Sequence, residues 1–213
     1  MKAALVLGTT GAFFAADDDI REFAQDNRSE EKDRLADVFT PFGDGRYIAP
    51  ALAVYYLQGY AFENQRSKRA ALLGLESFAV TGLFTTVLKY GTGRDRPNTG
   101  NNAESWNGPG SIESYAFPSG HTSTAFAIAA AFATEYQDEP LVPPLAYGIA
   151  TMTGLSRIND NKHWASDVFF GAALGYFTSK TIYKLRQNKE FGRFALYPKV
   201  TAQETGLTFA YRY

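Results

Sequence analysis

The chain has 213 residues, of which 45% are hydrophobic and 20% charged, so it can bury the core of one ordinary domain. Its net charge of −1 argues against the basic surface that nucleic-acid binding requires. Because it has no cysteine, disulfide frameworks, thiolate metal sites and cysteine nucleophiles are excluded. Any histidine chemistry must use His121, His163 or both, since these are its two histidines.

The first segment, residues 1–16, is apolar and ends at an acidic run. One lysine followed by apolar and small residues resembles a secretory signal peptide, although Gly8–Gly11 interrupts the apolar run. The same pattern fits a first apolar helix that is retained in the mature chain. Either alternative indicates an exported protein.

Apolar spacing predicts a mostly helical chain. Two short helices are expected within Asp17–Phe39, with Ser29 as the N-cap of the second, followed by a loop at Pro41–Gly45. Longer helices are predicted at Tyr47–Phe62, Lys68–Tyr90, Gly120–Tyr136, Leu145–Ile158 and His163–Gln187. The Gly- and Asn-rich stretch between residues 91 and 117 is a predicted long loop, a type of segment that usually carries function.

The hydrophobic stretches are short for a membrane protein. Only Ala70–Leu88 approaches the roughly 20 apolar residues of a bilayer span, and it contains Glu76. The mean hydropathy of −0.24 is low for a polytopic membrane protein. These observations favour helices buried in a soluble bundle, with a protein resting on a membrane as the alternative.

The last residues change character. Apolar and polar residues alternate on either side of Gln203–Gly206, which predicts a β-hairpin. We therefore expect one helical domain over residues 1–190 and a hairpin tail over residues 191–213.

Basic residues and the two histidines fall into three clusters along the chain. Lys89 and Arg96 flank the start of the long loop, where a lysine can also simply complement a helix C-terminus. Ser119, Gly120 and His121 open a helix, where free N–H groups bind anions and a serine also serves as an ordinary N-cap.

The third cluster is Arg157, His163 and Asp167. On a helix, residues four apart share a face, so Asp167 could orient the His163 ring and leave its other nitrogen as a nucleophile or base. Each cluster alone is weak evidence. Together they offer three cations, a helix N-terminus and two imidazoles, which is what phosphoryl transfer without a metal needs.

In order and internal spacing, the three clusters resemble the tripartite signature of the type 2 phosphatidic acid phosphatase superfamily. That signature reads Lys-x6-Arg-Pro, then Pro-Ser-Gly-His, then Ser-Arg-x5-His-x3-Asp, and no signature position departs from it. The resemblance spans Lys89–Asp167 and does not extend to residues 1–60 or to the tail.

The resemblance implies an all-α bundle with a core of about six helices and a phosphatase that needs neither metal nor cofactor. His163 would form a phosphohistidine, Asp167 would orient it, and His121 would protonate the leaving group and then activate water. The residues that would hold the phosphate oxygens are Lys89, Arg96, Ser119, Gly120 and Arg157. Vanadate would inhibit by mimicking the trigonal-bipyramidal phosphorus.

The expected substrate is a phosphomonoester or pyrophosphate, with a lipid as the leading candidate. The protein is expected to be exported, and either periplasmic or membrane-associated. Trp106 and Tyr115 of the long loop could form the substrate entrance. One alternative is a vanadium-dependent haloperoxidase, although such enzymes are usually much longer. Another is a non-catalytic envelope protein that binds phosphorylated lipid, which would not need Asp167 behind His163.

Overall fold

The computed structural model describes residues 2–110 and 115–187 and the backbone of two strands at 194–200 and 205–211. Within these residues the chain forms eight α-helices followed by an antiparallel hairpin. The helices are α1 (Lys2–Ala15), α2 (Asp17–Asp26), α3 (Glu30–Phe39), α4 (Gly45–Ala61), α5 (Gln65–Thr92), α6 (Gly120–Glu135), α7 (Val142–Asn159) and α8 (Ala165–Gln187). The predicted all-α bundle is confirmed.

The Ala-rich helix α6 lies at the centre, packed against α5, α7 and α8. Two glycines of α8 allow its close approach. A Cβ atom on Gly171 would lie 2.8 Å from the Ser119 carbonyl oxygen, and one on Gly175 would lie 2.1 Å from the Ser123 carbonyl oxygen. Backbone thus packs on backbone where α6 carries the serine–histidine cluster, so this contact fixes the spacing between two of the three sequence clusters.

Replacing Gly175 with alanine is expected to lower stability by about 1–3 kcal/mol, because the added methyl group overlaps a helix backbone that must shift. Thermal unfolding measures the effect. The matched control is Gly82→Ala on α5, where an added Cβ meets nothing within 4 Å and alanine favours the helix. Equal melting temperatures for the two variants would contradict the close packing of α6 and α8.

Several helix boundaries confirm the capping predictions. The Ser29 side chain accepts a hydrogen bond from the Lys32 N–H at 3.4 Å at the start of α3. The helix α5 is longer than predicted at both ends. It begins after Asn64, which accepts from the Ser67 N–H at 3.1 Å, and it ends at Gly93, whose left-handed φ of 58° suits glycine.

Other boundaries differ from the predictions. The expected loop at Pro41–Gly45 is largely a 3₁₀ turn, Thr40–Gly43, that packs against the His121 backbone. The helix α7 starts earlier than predicted, since prolines are tolerated in a first turn. The helix α8 starts at Ala165, so His163 lies in the preceding turn and not on the helix.

The predicted hairpin is present as strands β1 (Phe194–Val200) and β2 (Thr205–Tyr211), which pair antiparallel. Residues 188–193, 201–204 and 212–213 lie outside the described residues, as do residues 1 and 111–114. The boundary at residue 190 between a helical domain and a hairpin tail therefore stays a prediction.

The outer surface of the bundle is unusually apolar. In the described part of the chain, α5 is the one helix long and apolar enough to cross a membrane, and 33% of its most apolar stretch is buried. Leu83, Phe84 and Val87 on this helix are each more than half exposed. The expectation that this segment is a buried core helix therefore holds for one face of α5 only, because about two thirds of its most apolar stretch is not buried.

Candidate active site

Lys89, the lysine of the first cluster, lies against the N-terminus of α6. Lys89 lies in the last turn of α5, and its ammonium group donates to the Tyr115 carbonyl oxygen. A Cβ atom on Gly120 would lie 3.8 Å from the Lys89 Cε. The first and second clusters, 31 positions apart in sequence, are therefore in contact.

The N-terminus of α6 is capped and anchored by Ser119. Its Oγ accepts from the Thr122 hydroxyl at 2.9 Å and from the Thr122 N–H at 3.5 Å, which confirms the N-cap. The Ser119 N–H donates to the Asp167 carbonyl oxygen at 3.0 Å, which ties this end of α6 to α8. Among the described residues, the N–H groups of Gly120 and His121 have no backbone acceptor. They are the donors that an anion at this helix end would use.

The two arginines of the signature differ in their surroundings. Arg157 donates to Thr40 and Asp160 and is almost buried, while its carbonyl oxygen accepts from the His163 N–H at 3.3 Å. Arg96 is half-buried, and its side chain has no hydrogen-bond acceptor within the part of the chain described. Arg96 is thus a cation available to a bound anion, and Arg157 is one already fixed in place.

In the third cluster, His163 and Asp167 lie close together although only Asp167 is on α8. Asp167 lies in the first turn of α8 and reaches back, so that its Oδ2 accepts from the Trp164 N–H at 2.9 Å. The same oxygen lies 3.6 Å from Nδ1 of His163. That nitrogen is buried and has no hydrogen-bond partner among the described residues, and a contact of this length can tighten into a hydrogen bond when substrate binds.

Both imidazoles are held neutral at physiological pH. Burial lowers the pKa of His163 to about 4, opposed by the nearby Asp167 carboxylate and helped by the charges of Lys89 and Arg96. Burial also lowers the pKa of His121 to about 4, helped by Arg157, Arg96 and Lys89. The charges of Lys89 and Arg96 act on both histidines, and a bound phosphate dianion would offset them.

Two charged residues near the site were not recognised from the sequence. Arg94, inside the spacer between Lys89 and Arg96, is completely buried and donates to Asp167 Oδ1 at 2.6 Å and to Asp17 Oδ2 at 2.8 Å. An arginine between two other cations carries no distinguishing pattern. Asp17 opens the charged segment Asp17–Phe39, whose sequence pattern predicts the solvated face of two short helices.

The proposed entrance residues lie beside the site. The Trp106 ring is 40% exposed and lies 5.8 Å from the Phe117 ring, just before the serine–histidine cluster. The Tyr115 ring contacts Tyr90 at 5.4 Å. Trp164, which follows His163 in sequence, is 1% exposed and donates from Nε1 to the Asp95 carbonyl oxygen at 2.8 Å.

The sequence of this chain matches one protein family and is similar to several known proteins. Residues 70–191 match the family model of the PAP2 superfamily. The chain is 32% identical over 181 residues to a lipid A 1-phosphatase of Porphyromonas gingivalis, with 80% of this chain and 36% of that protein covered. It is 31% identical over 157 residues to a lipid A 1-phosphatase of Rhizobium etli, with 66% of each covered. The chain therefore spans about a third of the first relative's length and just under two thirds of the second's.

Solved structures of this kind share the fold. A transmembrane PAP2 type phosphatidylglycerolphosphate phosphatase from Bacillus subtilis superimposes with a TM-score of 0.68 at 22% identity, over 86% of this chain and 95% of that one. LpxE from Aquifex aeolicus superimposes with a TM-score of 0.58 at 21% identity, over 79% and 94%. With the family match and the three clusters meeting at one site, the chain belongs to the PAP2 superfamily.

Proposed function

We propose that this protein is a phosphatase that removes phosphate from a lipid phosphomonoester or pyrophosphate through a phosphohistidine on His163, without a metal ion. The observation that carries the proposal is a neutral, buried imidazole backed by the Asp167 carboxylate in the field of two cations, Lys89 and Arg96. A neutral ring is the nucleophilic form, and the cations attract the phosphate that it attacks.

In the first step, Nε2 of His163 attacks phosphorus, because Nδ1 faces Asp167. The N–P bond forms as the bond to the leaving oxygen breaks, and the imidazole gains positive charge that Asp167 stabilises. The equatorial oxygens are held by Lys89, Arg96, Arg157 and the free N–H groups at the start of α6. His121 gives its proton to the leaving oxygen.

In the second step, His121 takes a proton from water as the water attacks phosphorus. The N–P bond breaks, inorganic phosphate leaves, and His163 returns to its neutral form. His121 must be protonated before the first step, although its pKa in the free protein is about 4. A bound phosphate dianion offsets the cations that depress this pKa, so substrate binding itself favours the protonated acid.

A lipid substrate is supported by an apolar groove of about 810 Å³ between α1, α5 and α8. Phe170 lies at one end of the groove, and its ring is 4.8 Å from that of Phe117, beside the site. From there the groove follows α8 as far as Leu185, about 22 Å at 1.5 Å per residue. This length is about three quarters of a 30 Å hydrocarbon core, so the groove is long enough for an extended acyl chain.

The exposed apolar face of α5 supports placing the bundle in a membrane, with the site facing the periplasm of an exported protein. Among the relatives, the Bacillus subtilis enzyme is described as transmembrane and two others as lipid A 1-phosphatases. Lipid A and phosphatidylglycerol phosphate are therefore the first substrates to test.

Phosphate release should be measured with lipid A, phosphatidylglycerol phosphate, phosphatidic acid, a polyprenyl diphosphate and an aryl phosphate. We expect activity that persists in EDTA, falls with vanadate and is highest for an acylated substrate. Loss of activity on chelation would contradict the metal-free mechanism, and equal kcat/KM for aryl and acylated phosphates would contradict a lipid substrate. Halide oxidation by the vanadate-loaded protein, without phosphatase activity, would favour the haloperoxidase alternative.

A further inference from the structure

We propose that Asp17 and Arg94 are positioning residues that hold and electrostatically balance Asp167, so that the N-terminal helices complete the His163–Asp167 pair. The inference rests on the proposed role of Asp167 in the phosphatase reaction. Asp17 lies outside the residues 70–191 that match the family, and neither residue belongs to the three signature clusters.

Every N–H group of the Arg94 guanidinium has an acceptor. Nε and Nη2 donate to the Ala103 carbonyl oxygen at 3.1 and 2.9 Å, and Nη2 also donates to Asp17. Nη1 donates to Asp167 Oδ1 at 2.6 Å and to the Ser166 hydroxyl at 2.7 Å. With five N–H groups engaged in a rigid fork, Arg94 has one orientation, and it fixes the Asp167 carboxylate on the side opposite His163.

Asp17 is the first residue of α2 and is 1% exposed. Besides Arg94, it accepts from the Ser166 N–H at 2.9 Å and from the Ser166 hydroxyl at 2.5 Å. Burial raises the pKa of Asp17, while the hydrogen bonds from Ser166 and Arg94 lower it. Three donors directed at one carboxylate match the ionised, acceptor-only form.

The charges explain why a second carboxylate is needed. Arg94 and Asp167 alone would form a neutral buried pair, and little negative charge would remain to stabilise a cationic His163. With Asp17 included, two carboxylates share one guanidinium and the group carries a net charge of −1. Asp167 thus keeps its electrostatic effect on the imidazolium while Arg94 holds it in place.

Aromatic rings exclude water from this group. The guanidinium carbon of Arg94 lies 4.8 Å from the ring centre of Phe14, 4.9 Å from that of Trp106 and 5.4 Å from that of Trp164. Phe14 belongs to α1, so the two N-terminal helices supply both a ring and the balancing carboxylate. In such a desolvated setting, removing one charge strongly changes what the others contribute.

The test compares Asp17→Asn with the matched control Asp18→Asn, which changes the exposed next residue of the same helix turn. We expect Asp17→Asn to lower kcat about 10-fold or more with KM changed less than about 2-fold, and Asp18→Asn to match wild type. The acid limb of kcat/KM should move to lower pH, because loss of a negative charge further lowers the pKa of His163. Besides Asp167, the charges facing His163 are Lys89 and Arg96, and both variants leave them unchanged.

Wild-type kcat in Asp17→Asn would overturn the inference. A loss matched by a lower fraction of folded, vanadate-binding protein, with an unmoved acid limb, would also overturn it, since that is the result of a merely structural role. If Asp17→Asn does not fold, the double variant Asp17→Asn/Arg94→Gln keeps the net charge of −1 on Asp167 but removes the Arg94 guanidinium, and wild-type kcat in that variant would overturn the positioning role. Failure of the proposed function is separate, because wild-type protein would then release no phosphate.

Discussion

Replacing His163 with alanine is expected to abolish turnover, with a fall in kcat of about 10³-fold or more. The imidazole lies 3.6 Å from the Asp167 carboxylate and in the field of Lys89 and Arg96, so its loss removes the proposed nucleophile. Vanadate binding should persist more nearly intact, because Lys89, Arg96 and the start of α6 are unchanged. Phosphate release and vanadate affinity are measured together.

The proposed phosphohistidine allows a second measurement that tests the role of His163. Acid-labile, base-stable phosphate should be trapped on wild-type protein after quenching and should be absent from His163→Ala. The matched control is Lys162→Ala in the same turn, which should retain both trapping and turnover. Trapped phosphate on the His163→Ala protein, or turnover near the wild-type level, would contradict the assignment of His163 as nucleophile.

Replacing Asp167 with asparagine is expected to lower kcat by about 10³–10⁴-fold with little change in KM, by analogy with the loss of an orienting carboxylate in serine proteases. The substituted amide cannot accept from both Arg94 and the Trp164 N–H and also stabilise a cationic His163. The proposed anion-binding groups belong to other residues. The free energy lost is therefore that of the transition state rather than of substrate binding.

Steady-state kinetics with a soluble aryl phosphate separates the two parameters, and Asp19→Asn, on exposed α2 surface, is the control for amide substitution. The melting temperature of Asp167→Asn should be recorded as well, because the carboxylate accepts two buried hydrogen bonds. A raised KM with unchanged kcat would show that Asp167 serves substrate binding and would contradict the orienting role.

Much of the fold could be predicted because its signals are local. Helical spacing, Ser29 and Ser119 as caps, and alternation in the tail act within a few residues, and the structure confirms each. The boundary errors are local too. Asp167 accepts from the Trp164 N–H, so α8 begins at Ala165 and not at His163, a competition that apolar spacing does not reveal.

The residues of the three clusters could be recognised from the sequence, because the spacing within each cluster reflects one helix end or one turn. Only the tertiary structure shows which other residues contact those of the clusters. Arg94 meets Asp17 and Asp167 across 77 and 73 positions, and the charge run containing Asp17 had the pattern of a solvated helix face. Burial of such a carboxylate depends on a partner supplied from elsewhere in the chain, which no local pattern specifies.

The sequence by itself therefore determined the helical class, the hairpin and the residues proposed to form an anion site with two imidazoles. The tertiary structure decided that α5 turns an apolar face outward, that His163 lies in a turn, and that Asp17 of α2 reaches the Arg94–Asp167 pair. The physical reason is the separation along the chain between the groups that interact. Hydrogen bonding within a turn and periodic burial are encoded nearby, whereas charge balance in a buried network depends on which distant groups the packing of α6 and α8 brings together.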